Sequence, residues 1–277
     1  MSTLKGKVAF IAGAGRGQGR SHAIELAKRG VDIIAIDICA DIPSIPYALA
    51  TSDDLKQTVA LVEAEGGRIV ASVADVRDSQ QVQRAVDAGV ERFGRLDIVV
   101  ANAGVVGVGA TDRAGWEQEF RDVVETNLFG AWNSVLAAEP HLLAGRRGGS
   151  IVITSSTAGF KGIGGNSGGG EGYVASKHGV VGLMRNLASR LAAENIRVNT
   201  IHPTGVATPM VRNPAVETFL MQSVSGAGEV PNEMRNLLDV PMVESIDITK
   251  AVLYLVEDSG RFITGTTLVV DAGFLAR

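Results

Sequence analysis

The stretch that most restricts the fold is residues 8–37. There a continuous apolar run, Val8–Ala12, meets the glycine-rich residues 13–19, a helical pattern and a second apolar run closed by Asp37. An apolar run without polar alternation reads as a strand buried on both faces, as in a parallel sheet covered by helices. Gly13, Gly15, Gly17 and Gly19 let the backbone turn tightly and approach a bulky anion. A helix opening directly after such a turn offers free N–H groups and a positive dipole end to a phosphate. Gly13, Arg16, Gly17, Gln18 and Gly19 are therefore candidate dinucleotide-binding residues. Asp37 stands eighteen positions after Gly19. A carboxylate there accepts hydrogen bonds from an adenosine ribose and repels a 2′-phosphate, so NAD is expected over NADP. Arg16, basic and beside the turn, keeps NADP open as the alternative.

The rhythm continues to the C-terminus. Further strands are expected at residues 31–37, Ile69–Val73, Ile98–Ala101, 151–154, 198–201 and Thr267–Val270. Helical patterns lie at residues 20–29, 52–65, Ser79–Phe93, 116–144, 173–193 and 245–257. Alternating β and α over 277 residues predicts one α/β domain, residues 1–277, built on a Rossmann doubly wound parallel sheet. Right-handed crossovers then bring every strand C-terminus to one edge. Two segments break the pattern: residues 40–50, with Pro43 and Pro46, and a longer one ending at Val243, with Pro214, Pro231 and Pro241. The second, residues 208–243, is expected to be a substrate lid, its apolar Phe219, Leu220, Met221, Leu237 and Leu238 suiting an apolar substrate.

Net charge and cysteine count exclude several classes. The formal charge is −4 with no basic run, so nothing favours nucleic acid. Cys39 is the only cysteine, which rules out an intrachain disulfide and suits a reducing compartment. No apolar run approaches a membrane span and the start has no leader pattern, so a cytoplasmic protein is expected. His22, His141, His178 and His202 show no metal-ligand spacing, and no metal is expected. Trp116 and Trp132 read as packing. Gly165-Asn-Ser167-Gly-Gly169 matches the Gly-x-Ser-x-Gly hydrolase pattern, but it lies in a glycine-rich stretch and not at a strand-to-helix elbow.

Tyr173 and Lys177 are four apart at the start of a helical pattern and share one face. A free phenol titrates near ~10, too high for a base at neutral pH. An adjacent ammonium is expected to favour the phenolate, which then accepts an alcohol proton while hydride departs. Ser156, the second of the Ser155–Ser156 pair, closes a strand and is expected to orient the substrate oxygen. Neither Tyr47 nor Tyr254 repeats the pattern.

These motifs together resemble the classical short-chain dehydrogenase/reductase family over nearly the whole chain. The match runs through Gly13-x-x-x-Gly17-x-Gly19, Asp75-Val76, Asn102-Ala103-Gly104, Asn127, Ser155-Ser156, Tyr173-x-x-x-Lys177 and Pro203 onward. The resemblance implies that Asn127 completes a proton relay with Lys177 through water. It further implies that Asp75 and Val76 flank the adenine, and that Asn102, Ala103 and Gly104 line the cofactor. Pro203, Val206 and Thr208 match the part expected to hold the nicotinamide carboxamide. A homotetramer is implied as well, with residues 271–274 near a subunit contact. Two departures stand out: Pro203-Thr204-Gly205 in place of Pro-Gly, and an interval of seventeen positions from Ser156 to Tyr173. The extra glycine-rich piece, residues 164–172, is expected to loop at the pocket mouth.

Residues 14–23, the Asp37-Ile38-Cys39 ending with its proline-containing insert, and His202-Pro203-Thr204 are similar to mycofactocin-coupled, carveol dehydrogenase-like proteins. That resemblance implies a tightly held NAD re-oxidised in place by a peptide-derived redox partner. The insert at residues 40–50, just after Asp37, is expected to cover the cofactor. The reaction expected is interconversion of a secondary alcohol, terpenoid- or steroid-like, with its ketone. The alternatives are an NADP-linked ketone reductase and a non-catalytic NAD-binding redox sensor.

Overall fold

The computed structural model describes residues 4–222 and 235–276, with side chains of 219–222 left aside. Seven parallel strands form one sheet in the order β3-β2-β1-β4-β5-β6-β7. They are β1 (Val8–Ala12), β2 (Asp32–Asp37), β3 (Ile69–Val73), β4 (Ile98–Ala101), β5 (Gly149–Thr154), β6 (Ile196–Pro203) and β7 (Thr267–Val270). The helices are α1 (Gly17–Ala27), α2 (Ser52–Ala64), α3 (Ser79–Phe93), α4 (Arg113–Val124), α5 (Gly130–Gly145), α6 (Gly168–Leu191), α7 (Pro214–Gln222) and α8 (Ser245–Val256). The doubly wound expectation holds, and the apolar runs explain it. Ile34, Val99, Ile151 and Ile153 face α3, α5 and α6, while Ile33, Val100 and Val152 face α1 and α8. Each central strand needs apolar side chains in both directions, so strict alternation is lost.

Helix starts follow local chemistry. Thr51 and Asp54 form a capping box at α2, and Asp78, Asp112 and Ser167 each accept a backbone N–H at the start of α3, α4 and α6. Two expectations are corrected. The pattern at 116–144 is not one helix, because a π-turn over Glu125–Phe129 separates α4 from α5. One extra residue per turn is invisible to a 3.6-residue periodicity. The helix expected from Tyr173 instead begins at Gly168, so Gly168 to Gly172 form its first turn and not a loop at the pocket mouth. Poor helix propensity hides that turn in the sequence.

On the face opposite α6, His22 of α1 is fully buried. Its Nδ1 lies 2.8 Å from Thr249 Oγ1 of α8, and its Nε2 has no partner. Burial pushes this imidazole down from 6.5 to about 3. Between those values the unfolded chain takes up a proton that the native chain refuses. Stability is therefore complete above pH 6.5 and is lost as the pH falls, by roughly 1.4 kcal/mol per unit for one such group. Urea unfolding at pH 7 and pH 5 is expected to show that loss, and His22→Leu to reduce it.

Candidate active site

Strand order reverses between β1 and β4, and the loops leaving those two strands open a crevice at their carboxyl ends. The crevice is lined by the glycine turn, Asp37, the β3–α3 turn, the β4–α4 loop, the 40–50 insert and Thr208. In the turn, a Cβ at Gly19 would sit 1.9 Å from Gly13 O, so the start of α1 packs backbone against backbone. Arg16 occupies the N-cap position of α1 but provides no side-chain cap, which leaves the helix amides open to the crevice. Gln18 Oε1 is buried there without a partner. Arg20 donates to Gly15 O at 3.1 Å and ties the turn to Thr58 of α2.

Asp37 closes β2, and its Oδ2 accepts the Gly15 amide at 2.8 Å. Burial raises its carboxyl above the usual range, and the Gly15 amide opposes that shift. The Arg16 guanidinium donates to Ala48 O of the insert at 2.5 Å. The insert is anchored twice more: Ser44 Oγ donates to Asp122 Oδ2 at 2.6 Å, and the Val106 amide donates to the Tyr47 hydroxyl at 3.0 Å. Ile42, Tyr47 and Leu49 thereby face the crevice. Sequence reasoning placed the insert over the cofactor without naming these three. Apolar residues recurring between Asp41 and the helix start were the available signal.

Beside the crevice, and not among its lining residues, the Ser156 hydroxyl stands close enough to the Tyr173 phenol to influence its ionisation. Lys177 Nζ donates to Thr154 O at 2.8 Å and lies 5.5 Å from the Tyr173 ring centre. Burial lowers the Lys177 ammonium to about 8. Burial raises the Tyr173 phenol, and the Ser156 hydroxyl is the group that opposes this. The Lys177 ammonium, held by the Thr154 carbonyl, lies over the Tyr173 ring. Of the serine pair, Ser155 Oγ donates to Lys177 O at 2.8 Å, fixing α6 against β5, while Ser156 meets the phenol.

Asn127 sits inside the π-turn, a recurrent device for re-aiming a helix residue at a site. Its amide donates to Val105 O at 2.9 Å and accepts the Val105 amide at 2.8 Å, so this side chain braces the β4–α4 loop. A Cβ at Gly104 would lie 3.2 Å from Asn127 Oδ1 and 3.5 Å from Lys177 Nζ, which brings the two to one point of the crevice.

The remaining sequence candidates divide. Asp75, Val76, Asn102, Ala103, Gly104 and Thr208 border the crevice, whereas Pro203 and Val206 are buried beside it and do not line it. Asp75 forms a two-point ion pair with Arg77, at 2.9 Å to Nε and 2.7 Å to NH2. The Asn102 amide donates to Gly13 O at 3.2 Å, stapling β4 to β1. Ser167 of the hydrolase-like motif is the α6 cap and accepts the Gly170 amide at 3.0 Å. No group of three or more His, Cys, Asp or Glu suited to a metal occurs among the described residues.

The segment expected to be a lid includes α7, whose Ala215 and Val216, with Met210 before the helix, pack on the insert. Residues 223–234 and the side chains of Phe219, Leu220 and Met221 lie outside the described residues. Leu237 and Leu238 are well exposed.

The glycine turn, Asp37 and the Ser–Tyr–Lys cluster share one sheet edge, the arrangement of a dehydrogenase. The sequence profile of the family described as short chain dehydrogenase matches residues 7–217, and this chain belongs to that family. The (−)-trans-carveol dehydrogenase of Rhodococcus erythropolis is 45% identical over 277 residues, covering 99% of both chains. A crystal structure of carveol dehydrogenase from Mycobacterium avium in complex with NAD superposes with a TM-score of 0.90 at 45% identity, covering 100% of each chain. A short chain dehydrogenase from Mycobacterium paratuberculosis bound to NAD gives 0.91 at 43% identity, covering 99% of each.

Proposed function

We propose that this chain is an NAD-dependent oxidoreductase that interconverts a secondary alcohol and its ketone, with Tyr173 exchanging the hydroxyl proton. The observation that carries this reading is the grouping of Ser156, Tyr173 and buried Lys177, the ammonium 5.5 Å from the Tyr173 ring centre, at the edge shared with the glycine turn. A pure binder has no use for that cluster.

The crevice fits the cofactor. Open amides of α1, the unpartnered Gln18 Oε1 and the Asp37 carboxylate suit a pyrophosphate and an unphosphorylated ribose. Arg16 is engaged by Ala48 O, which argues against its serving a 2′-phosphate. Asp37→Ala is expected to weaken NAD binding about 10–100-fold, the worth of a charged hydrogen bond. Calorimetric titration with NAD and NADP reads this directly. When bound, NAD supplies the hydride acceptor for the carbinol carbon. Tyr173 takes the proton of the alcohol oxygen in oxidation and returns it to the ketone in reduction. Ser156 holds the substrate oxygen, and the Lys177 ammonium stands behind the phenol as a fixed positive charge.

An apolar substrate, terpenoid- or steroid-like, is favoured by the cluster in which Ile42, Tyr47, Val105 and Val216 pack with Tyr173. The three anchors of the insert support a cofactor held tightly and re-oxidised in place by a mycofactocin-type partner. Phe129, Trp132 and Leu136, 44–52% exposed at one-turn spacings beside and along α5, support assembly into a homotetramer. A cytoplasmic location accords with Cys39 as a free thiol, and among the described residues no helix is long and apolar enough to cross a membrane.

The decisive experiment is a secondary-alcohol panel, carveol and cyclohexanol included, run with excess free NAD and again with an artificial electron acceptor. Turnover with either supports the oxidoreductase, and turnover only with the acceptor supports the captive cofactor. Oxidation of no secondary alcohol in either arm, with no reduction of the matching ketones, would overturn the assignment.

A further inference from the structure

His202 belongs to none of the groups assigned so far, yet it lies directly behind Ser156. The β5–β6 ladder runs to Thr154↔Ile201, and the Ser155 amide still donates to Ile201 O at 2.8 Å. At Ser156 the chain leaves the sheet. From there the His202 side chain takes over as partner, its Nδ1 lying 2.8 Å from Ser156 O. The other ring nitrogen, Nε2, lies 2.8 Å from Thr200 Oγ1. A carbonyl can only accept, so Nδ1 carries the proton. In a neutral ring Nε2 is then the acceptor, and the Thr200 hydroxyl donates to it. The competing acceptor for that hydroxyl, Thr266 O, is 3.5 Å away and too far to draw it off. His202 is fully buried, and burial lowers its titration to about 4, which keeps the ring neutral at working pH. Phe160 covers one side of the ring at 4.5 Å between centroids.

Ser156 is thus held from two directions. Its carbonyl accepts from His202 and from the Gly159 amide at 2.9 Å, and its Oγ accepts the Ala158 amide at 3.1 Å. With its lone pair engaged by Ala158, the hydroxyl keeps its proton to offer toward the Tyr173 phenol, which it influences.

We propose that the Thr200–His202 pair is a positioning device for the reaction, with His202 as a fixed Nδ1–H donor that sets the Ser156 hydroxyl against Tyr173. This rests on the reading of Ser156 and Tyr173 as the proton-transfer pair. His202 touches neither substrate nor cofactor and acts only through Ser156. Misplacing a reacting group by about 1 Å costs on the order of 100-fold in rate, and that sets the scale.

The test uses the NAD-loaded enzyme and whichever panel alcohol it oxidises fastest. His202→Leu removes the donor. His202→Asn restores one, since an Asn side-chain nitrogen reaches about where Nδ1 lies. We expect His202→Leu to lower kcat about 10–100-fold with NAD affinity within about twofold, and His202→Asn to recover most of that loss. In a Ser156→Ala background, His202→Leu should cost nothing further, because its route of action is already gone. Equal losses in His202→Leu and His202→Asn, or a full additional loss on Ser156→Ala, would overturn the proposal. Nitrogen-15 NMR of the unsubstituted enzyme tests it without any substrate: the Nδ1–H tautomer is required, and an Nε2–H signal for His202 sinks it. If Ser156→Ala alone leaves turnover intact, the underlying assignment of Ser156 has failed, a result separable from the tautomer.

Discussion

Tyr173→Phe is expected to lower kcat for alcohol oxidation about a thousandfold, within the range of a lost general acid–base. NAD binding should stay within about threefold, because the ring remains packed on the cluster that holds Ile42, Val105 and Val216. The substitution removes one oxygen and no packing, so the loss belongs to the chemistry. It also separates the proton acceptor from Ser156, whose hydroxyl can orient an oxygen but has no means of taking its proton at neutral pH. The pH dependence follows from burial, which raises the Tyr173 phenol and makes the base form scarce near neutrality. Oxidation by the unsubstituted enzyme should therefore climb as pH rises, and ketone reduction, which uses the protonated phenol, should decline. Both slopes should vanish from the residual rate of Tyr173→Phe. Tyr254→Phe, on an exposed face of α8, is the matched control and should behave as the parent. A Tyr173→Phe enzyme with undiminished turnover would defeat the assignment.

Gly169→Ala is expected to destabilise the fold by about 3 kcal/mol, or roughly 6–12 °C in melting temperature. A Cβ there would fall 2.2 Å from Gly107 O and 2.4 Å from Gly107 C and Cα. Those are backbone atoms, so no side chain can swing aside. Two effects oppose each other. Alanine gains about 1 kcal/mol of helix propensity over glycine. The overlap costs more, because relieving it means moving the start of α6 away from the β4–α4 loop. That movement shifts Tyr173, one turn further along the helix, so activity should fall with stability. Gly162→Ala, in the same glycine-rich stretch but with nothing within 4 Å of the new Cβ, should be neutral. Differential scanning calorimetry of the two variants decides between a packed helix turn and a loose loop, for which both would be silent.

The contrast at these glycines marks the limit of reading composition. Residues 164–172 looked like open loop because glycine is a poor helix former. The structure uses the missing side chains to bring α6 onto Trp116 and Gly107. Asn127 gives a similar lesson. Its identity and place in the order of motifs were legible, but the π-turn that aims it was not, since a single added residue leaves no periodic trace. Tyr47 seemed excluded by its neighbours in sequence, yet the fold delivers its hydroxyl to the Val106 amide, fifty-nine residues away.

The sequence by itself determined the parallel sheet, the glycine turn with Asp37, and the list of groups able to move a proton. Each of these rests on local pattern: apolar continuity, backbone freedom, or side-chain chemistry at short spacing. Only the tertiary structure decided how those groups are tuned. Lys177 turns to Thr154 O, Arg16 is held by Ala48 O, and Ser156 is backed by His202. Those partners lie 23, 32 and 46 residues away in the chain. The physical reason is that burial and long-range hydrogen bonds set charge and orientation, and both exist only once the strands have brought distant residues to one edge.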